Sequence, residues 1–187
     1  MKQTILIIVI VLAVIGVGFL LFKYGNVPTQ GSELAAAPDD HDLTQNMQKA
    51  GLDQLPAEGT VLHIHQHLDI IINGEKKEVP GQIGIGSSFF STIHTHDSSG
   101  VIHVESPTQK DFKLGEFFDE WGVKFNDNCI ADFCSDSKHK LVVGVNGSAI
   151  TNVHDYVLKA HDEIEVWYGD KATNPELIPS YAFPSGE

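Results

Sequence analysis

The stretch LHIHQHLDIII, residues 62–72, alternates apolar and polar side chains with the two-residue period of a β-strand. One face of this strand carries four apolar side chains, those of Leu62, Ile64, Leu68 and Ile70. We expect that face to join the core of the fold. The opposite face carries His63, His65, His67 and Asp69. A row of imidazoles has little use in packing, so this face is a candidate metal site.

Two further sequence segments repeat this two-residue spacing. TIHTHD places His94 and His96 on one strand face, and VIHVES does the same for His103 and Glu105. Residues two apart on a strand lie about 6.5–7 Å apart and can chelate one ion, whereas positions 63 and 67, about 13 Å apart, cannot easily do so. We therefore expect at most two of the first three histidines to share a centre with the histidines of TIHTHD. The histidine and glutamate of VIHVES would ligate that centre or a second one, so both a mononuclear site with an open position and a two-metal site fit the pattern.

Nitrogen and carboxylate ligands suit Zn(II), Cu(II), Ni(II) and iron, and Cu(II) has the highest affinity in the divalent series. We expect a copper or zinc ion, with iron less favoured. A methionine-lined Cu(I) carrier is disfavoured because Met1 and Met47 lie outside the predicted domain. A pH-responsive surface without metal is the alternative for these strands. The other histidines lack the spacing and are interpreted as surface or turn residues; they are His41, His139, His154 and His161.

The N-terminal segment from Ile5 to Phe22 is uninterrupted by polar residues and is flanked by lysines. Its length approaches the roughly 20 apolar residues that cross a bilayer. We interpret residues 1–23 as a single, uncleaved transmembrane anchor. A cleaved signal peptide, processed near Ala35–Ala37, is the alternative. Either reading exports the remainder, so we expect a single-pass cell-membrane protein with an extracytoplasmic C-terminal domain.

The chain has two cysteines, Cys129 and Cys134. In an oxidising compartment this close pair predicts a disulfide that closes a small loop, and a pair of thiolate metal ligands is the alternative. The net charge is −13, with 25 acidic and 12 basic residues. This charge argues against nucleic acid and anionic lipid surfaces as partners, and it concentrates cations near the domain.

The composition divides the chain after the anchor into three regions. Residues 24–60 have the composition of a linker, in which DLTQNMQKAGL predicts a short helix with Asp42 or Thr44 as its N-cap and Gly51 as its stop. Residues 61–170 form the folded, histidine-rich domain, and residues 171–187 form an extended, proline-containing tail.

Within the domain, the first strand turns at Asn73-Gly74 into a partner at 76–79. Further strands are predicted at 91–96 and 101–105. The phrase LGEFFDEWG, residues 114–122, predicts a short helix whose apolar stripe faces the core. The strands KLVVGVNG and EIEVWYG close the domain.

The phrases VGVNGSAI and DYVLKAHDEIEVWYG resemble the closing half of β-grasp domains of the ubiquitin-like and sulfur-carrier type. The resemblance covers about Leu62 to Gly169. It implies an α+β fold, a β-grasp-like mixed sheet with one short helix and a His-rich strand insertion, preceded by a single N-terminal transmembrane helix. Sulfur carriers end in a Gly-Gly tail, whereas this chain continues past Gly169, so their activity is not implied. The complete pattern is also similar to a group of uncharacterised, membrane-anchored, His-rich exported microbial proteins, which implies no mechanism.

Three functions are compatible with these patterns. The favoured one is a membrane-anchored extracytoplasmic metal-binding protein that sequesters copper or zinc, or delivers it to a membrane or exported protein partner. The second is an anchored β-grasp module for protein interaction or assembly. The third is a mononuclear metalloenzyme with an open position for water, in which Glu105 or Asp97 would be the base and Asp69 would orient a ligand. An enzyme is less expected, because the sequence has no nucleophile motif, phosphate loop or dinucleotide fingerprint.

Overall fold

The computed structural model describes residues 34–185, which form an α+β fold with a mixed β-sheet and two α-helices. The predicted α+β class with a mixed sheet is therefore confirmed. None of the helices within residues 34–185 has the length and apolar character needed to cross a membrane. The predicted anchor at residues 1–23 lies outside the described residues.

The elements follow one another along the chain with short connections. In chain order they are α1 (Asp40–Ala50), β1 (Gln54–Leu55), β2 (Leu62–Ile72), β3 (Glu75–Lys77), β4 (Phe90–Ser91), β5 (Ile93–His94), β6 (Val101–Ser106), α2 (Leu114–Trp121), β7 (Phe125–Asn126), β8 (Cys129–Ile130), β9 (Phe133–Cys134), β10 (His139–Val145), β11 (Ser148–Ile150), a 3₁₀ turn (Val153–Asp155) and β12 (Glu163–Asp170).

The main sheet has the strand order β11-β10-β12-β2-β6-β5, with β3 also paired to β2. The long strands β2 and β12 are parallel neighbours, whereas β10 is antiparallel to β12, and β3 and β6 are antiparallel to β2. The β2–β3 hairpin turns at Asn73 and Gly74, whose φ angles of 53° and 84° suit the tight turn that this dipeptide favours. Strand β2 thus lies at the centre of the sheet. Strand β12 pairs with one of its edges, and β6 and β3 both pair with the other edge, β6 along its first half and β3 at its end.

The apolar face of β2 is part of the core, as its alternation predicts. Leu68, Ile70 and Ile72 are each 1% exposed or less and belong to one core cluster with the aromatic stripe of α2. The helix has the predicted bounds and ends at Gly122, which has φ of 78°. In this cluster Phe118 stacks on Phe125 with ring centroids 3.9 Å apart. The core therefore occupies one face of the sheet, and the histidines of β2 point to the other.

The predicted strand at 91–96 is instead two short strands with different partners. Strand β4 pairs with β1 in a separate two-stranded sheet, and β5 pairs with β6 in the main sheet. The chain therefore changes sheets at Thr92. This change leaves His94 inside the main sheet and His96 just beyond the end of β5.

The region predicted as a linker differs from that expectation, because part of it is folded into the core. Asp39 is the N-cap of helix α1, and its carboxylate accepts hydrogen bonds from the backbone N–H groups of His41 and Asp42 at 3.0 Å. The N-cap is thus earlier than the predicted Asp42 or Thr44, while Gly51 ends the helix as predicted, with φ of 73°. Leu43 and Met47 are 0% and 1% exposed, so the expectation that Met47 lies outside the domain is wrong.

The tail after β12 lies against the polar face of the sheet. Gly144 makes room for it, because a Cβ at this position would come within 2.7 Å of the Leu177 side chain. The backbone N–H of Ile178 donates to Glu165 Oε2 at 2.8 Å. Tyr181 then stacks on His67, with ring centroids 3.7 Å apart and planes 4° from parallel. The tail therefore covers part of the histidine-bearing face.

Candidate metal centre

Five histidines and Glu105 converge where β2, β6 and β5 run side by side. The pairing register places His65 of β2 opposite His103 of β6, and His103 opposite His94 of β5. His63 and His96 flank this row, two residues from His65 and His94 respectively. Side chains at directly opposed positions share one face of a sheet, so the register brings together histidines from three phrases of the sequence.

The distances between ligand atoms match those of metal chelation. The Nε2 atoms of His63 and His65 are 3.0 Å apart, and those of His94 and His96 are 3.3 Å apart. Two nitrogens bound to one ion at about 2.05 Å lie about 2.9 Å apart at a right angle and about 3.4 Å apart at a tetrahedral angle. Both pairs fall within this range without rearrangement of the backbone.

Glu105 adds a carboxylate to the histidines. Its Oε1 atom is 3.3 Å from His63 Nε2 and 3.4 Å from His103 Nδ1. Potential ligand atoms lie within 4.8 Å of one another in two overlapping sets, which are His63, His65, His103 and Glu105, and His94, His96, His103 and Glu105. The cluster therefore has the ligand types and spacing that can hold a metal ion.

The cluster is closed on one side and open on the other. The side chains of His94, His103 and Glu105 are 0%, 10% and 7% exposed, whereas those of His63 and His96 are 50% and 43% exposed. The buried residues form the floor of the cluster, and the exposed ones give solvent access. An ion could enter or leave without opening the core.

A buried hydrogen-bond chain orients His94. Its Nδ1–H donates to the carbonyl oxygen of Ser91 at 3.0 Å, which leaves the Nε2 lone pair directed toward His96. The Ser91 hydroxyl in turn donates to Glu120 Oε2 at 2.6 Å. Burial raises the pKa of Glu120 well above its usual range. Such outer partners fix the tautomer and ring orientation of metal-binding histidines in general.

The environment keeps the inner histidines neutral at pH 7. Burial, together with a smaller effect of the neighbouring imidazoles, lowers the pKa of His94 to about 4 and that of His103 to about 3. Burial and the nearby His63 also lower the pKa of His65. Neutral imidazole is the form that ligates metals, so protons do not compete strongly for these nitrogens.

Glu58 is a second carboxylate at the cluster, and it was not predicted from the sequence. Its Oε1 atom is 3.6 Å from His96 Nε2 and 3.8 Å from His94 Nε2. Burial raises the pKa of Glu105, and the adjacent Glu58 carboxyl contributes to the same shift. Glu58 falls in the region predicted as a linker, where no spacing pattern connects it to the histidines.

His67 and Asp69 lie on the same face of β2 but in a separate environment. His67 Nδ1 contacts Glu163 Oε2 at 2.7 Å, and its Nε2–H donates to the carbonyl oxygen of Ser99 at 3.1 Å. With Asp69 and Glu163 it forms a third set of potential ligand atoms within 4.8 Å. Both ring nitrogens already have partners, however. The structure thus separates His67 from the cluster that contains His63 and His65.

The other residues considered in the sequence lie outside the cluster. Asp97 accepts a hydrogen bond from the Ser99 backbone N–H at 2.9 Å in an exposed turn. Two surface histidines pair with carboxylates at 3.1 Å, His139 with Asp136 and His154 with Asp119. Cys129 and Cys134 are joined by a disulfide in the β8–β9 hairpin, so the structure does not present them as thiolate ligands.

No protein-family model, no curated protein and no solved structure matches this chain. Function must therefore be inferred from the site itself. The arrangement offers neutral imidazole nitrogens and two carboxylates around a partly open surface, which is a ligand set for a borderline transition-metal ion.

Proposed function

We propose that this chain is a membrane-anchored, extracytoplasmic metal-binding protein that sequesters copper or zinc, or delivers it to a membrane or exported protein partner. The observation that carries the proposal is the convergence of five imidazoles and Glu105 on one sheet face, with chelating Nε2 distances of 3.0 and 3.3 Å. Protonation of one imidazole disfavours protonation of the next, so the clustering itself favours the neutral form that binds metal ions.

The ligand set favours copper or zinc over other ions. Imidazole suits both metals, and a carboxylate completes the sites of many zinc proteins. The Nε2 separations of 3.0 Å between His63 and His65 and of 3.3 Å between His94 and His96 both lie in the range that one Cu(II) or Zn(II) ion spans. Iron is less favoured, because Fe(II) stands below both Cu(II) and Zn(II) in the order of divalent affinities.

Partial exposure supports exchange of the ion with a partner. Structural metal sites are closed, whereas half of the His63 side chain and 43% of the His96 side chain are accessible here. The net charge of −13 also attracts cations toward the domain. A reversible store or carrier needs both properties.

The location and the scaffold are parts of the same proposal. An apolar segment at residues 5–22 supports an anchor, and a disulfide between Cys129 and Cys134 suits an oxidising, extracytoplasmic compartment. The neighbouring order β3-β2-β12-β10, with β2 and β12 parallel, supports a β-grasp scaffold into which β5 and β6 are inserted. In this view the insertion supplies three of the five clustered histidines.

A metalloenzyme is the second candidate function, and the buried carboxyl group of Glu105 favours it. A buried carboxyl with a raised pKa beside a metal-bound water could act as a general base. This function needs the same ion at the same cluster. It differs from a store or carrier in requiring turnover of a substrate, so metal binding is the first property to test.

The test is the metal content of the full chain, purified in detergent without a histidine tag and incubated with Cu²⁺ or Zn²⁺. Elemental mass spectrometry would compare it with a variant lacking the three inner histidines, His65→Asn, His94→Asn and His103→Asn. A matched control would carry His41→Asn, His139→Asn and His154→Asn, three substitutions outside the cluster.

We expect bound copper or zinc in the wild-type protein and in the matched control, and loss of most of it in the inner-histidine variant. Far-UV circular dichroism would establish that the variant retains its fold. Wild-type protein that binds neither ion, or equal metal content in all three proteins, would contradict the proposal. The first outcome would leave an anchored interaction module as the function to pursue.

A further inference from the structure

We propose that the cluster binds two metal ions side by side, one chelated by His63 and His65 and the other by His94 and His96, with Glu105 shared between them. This inference rests on the proposed metal-binding function and extends it. It specifies the number of ions and assigns each chelating pair to one of them.

A single ion can bind only ligand atoms that lie close to one another. Ligand atoms bound to one ion at about 2.1 Å cannot be more than about 4.2 Å apart. Each chelating pair lies within 4.8 Å of His103 and Glu105, but among residues 34–185 no set within that limit contains both pairs. With the side chains in this arrangement, one ion therefore cannot use both pairs.

The sheet register explains why the pairs stay apart. His65 and His94 both lie opposite His103, one from β2 and the other from β5, so they flank β6 on its two sides. Adjacent strands are about 4.8 Å apart, which places these two positions about 10 Å apart across the sheet. The pairing of the strands thus separates the two chelating pairs.

Each pair has a carboxylate close to it, and Glu105 is within reach of both pairs. Glu105 Oε1 lies 3.3 Å from His63 Nε2, and Glu58 Oε1 lies 3.6 Å from His96 Nε2. Each prospective ion thus has two imidazoles and one carboxylate from the protein. Two carboxylates also partly balance the charge of two divalent cations, and a single ion would leave one of the two acids without a cation beside it.

His103 and Glu105 occupy the space between the pairs. The His103 ring centroid is 4.5 Å from the centroids of both His65 and His96. His103 is only 8% exposed, and its Nδ1 atom makes no hydrogen bond within the described part of the chain. A buried ring nitrogen without a partner is costly, and a metal ion would satisfy it. Glu105 belongs to both sets, and the two oxygens of a carboxylate can bridge neighbouring ions.

The His67 group is a weaker candidate for a second ion. His67 Nδ1 and Nε2 already contact Glu163 and Ser99, and Tyr181 covers the ring. An ion there would have to displace these partners. The two pairs of the main cluster need no such displacement, since their Nε2 atoms face one another.

Native mass spectrometry of the full chain in detergent, loaded with Zn²⁺ and freed of loosely bound ions, would count the ions directly. The same count would be made for His63→Asn/His65→Asn and for His94→Asn/His96→Asn. The control is His139→Asn/His154→Asn, a pair of surface histidines outside the cluster. We expect two ions in the wild type and the control, and one ion in each cluster variant, a twofold loss.

The retained ion in each cluster variant would itself show that the fold persists. A wild-type count of one ion would overturn the two-ion proposal while leaving metal binding intact, whatever the variants do. A count of two that survives in either cluster variant would also overturn it, because the second ion would then lie elsewhere. A wild-type count of zero, repeated when the protein is loaded with Cu²⁺ in place of Zn²⁺, would instead contradict the proposed function itself.

Discussion

His94 should make the metal-free protein less stable as the pH falls from 7.5 to 5. Its side chain is completely buried, and its Nδ1–H is committed to the Ser91 carbonyl oxygen. Burial lowers the pKa of His94 to about 4, whereas the ordinary value for histidine is about 6.5. The folded state therefore resists a proton that the unfolded chain accepts.

Proton linkage gives the direction in which the free energy of unfolding changes with pH. Below pH 6.5 the unfolded state binds more protons at this residue than the folded state, so acid favours unfolding until the folded state also protonates near pH 4. With those two pKa values, protonation of the unfolded chain at pH 5 costs about 2 kcal/mol of stability relative to pH 7.5. His103 acts in the same direction, while the raised pKa values of Glu105 and Glu120 act in the opposite one.

The contribution of His94 can be isolated by comparing proteins rather than by reading one pH profile. Urea unfolding of the full chain with a chelator present would be followed by the fluorescence of Trp121 and Trp167, the chain's two tryptophans. In His94→Asn the stability lost between pH 7.5 and pH 5 should be smaller than in the wild type by about 2 kcal/mol. The exposed-site control His139→Asn should lose as much as the wild type.

Equal losses of stability in His94→Asn and in the wild type between these two pH values would contradict the prediction. Such a result would mean that His94 is as easily protonated in the folded protein as in the unfolded chain. The comparison does not depend on the absolute stability of the variant, because each protein serves as its own reference at pH 7.5.

Three further predictions concern the free energy of unfolding at neutral pH, measured by urea denaturation with circular dichroism. Asp39→Ala removes the N-cap of α1 and should cost about 1 kcal/mol, whereas Asp39→Asn, which can still cap, should cost less; equal losses would contradict this role. Phe118→Ala should cost about 3–5 kcal/mol because the ring is fully buried against Phe125, and a loss below 1 kcal/mol would contradict the packing. Replacing Cys129 and Cys134 by serine should cost about 2 kcal/mol through the entropy of the opened loop, and reductant should destabilise only the wild type.

Elements with a strong period were predictable from the sequence. Alternation over most of LHIHQHLDIII predicted β2 with its observed bounds at Leu62–Ile72, and the apolar spacing of LGEFFDEWG predicted α2 with its bounds at Leu114–Trp121. Both signals are local, because each depends on side chains within one element meeting one buried surface. The Asn73-Gly74 turn was equally local, since its conformation demands residues that tolerate positive φ.

The composition of the cluster was only partly predictable. The spacing within each phrase identified chelating pairs, but the adjacency of β2, β6 and β5 depends on pairing between distant segments, which no local pattern specifies. Glu58 was missed for the same reason, because it reaches the cluster from outside any strand. Packing of α1 was missed because Leu43 and Met47 are only two apolar anchors in an otherwise polar helix.

The C-terminal tail accounts for the different environments of His65 and His67, which share a face of one strand. The tail crosses that face at Glu165 and reaches His67, where Tyr181 covers the ring. Both ring nitrogens of His67 also have protein partners, because Nδ1 contacts Glu163 and Nε2 contacts the Ser99 carbonyl oxygen. The ring of His65 instead contacts those of His63 and His103, and its Nε2 faces that of His63. From the alternation alone, His65 and His67 are equivalent. In the structure, Tyr181 of the tail and Glu163 of β12 contact the His67 ring, so His67 has a structural role, whereas His65 remains available as a ligand.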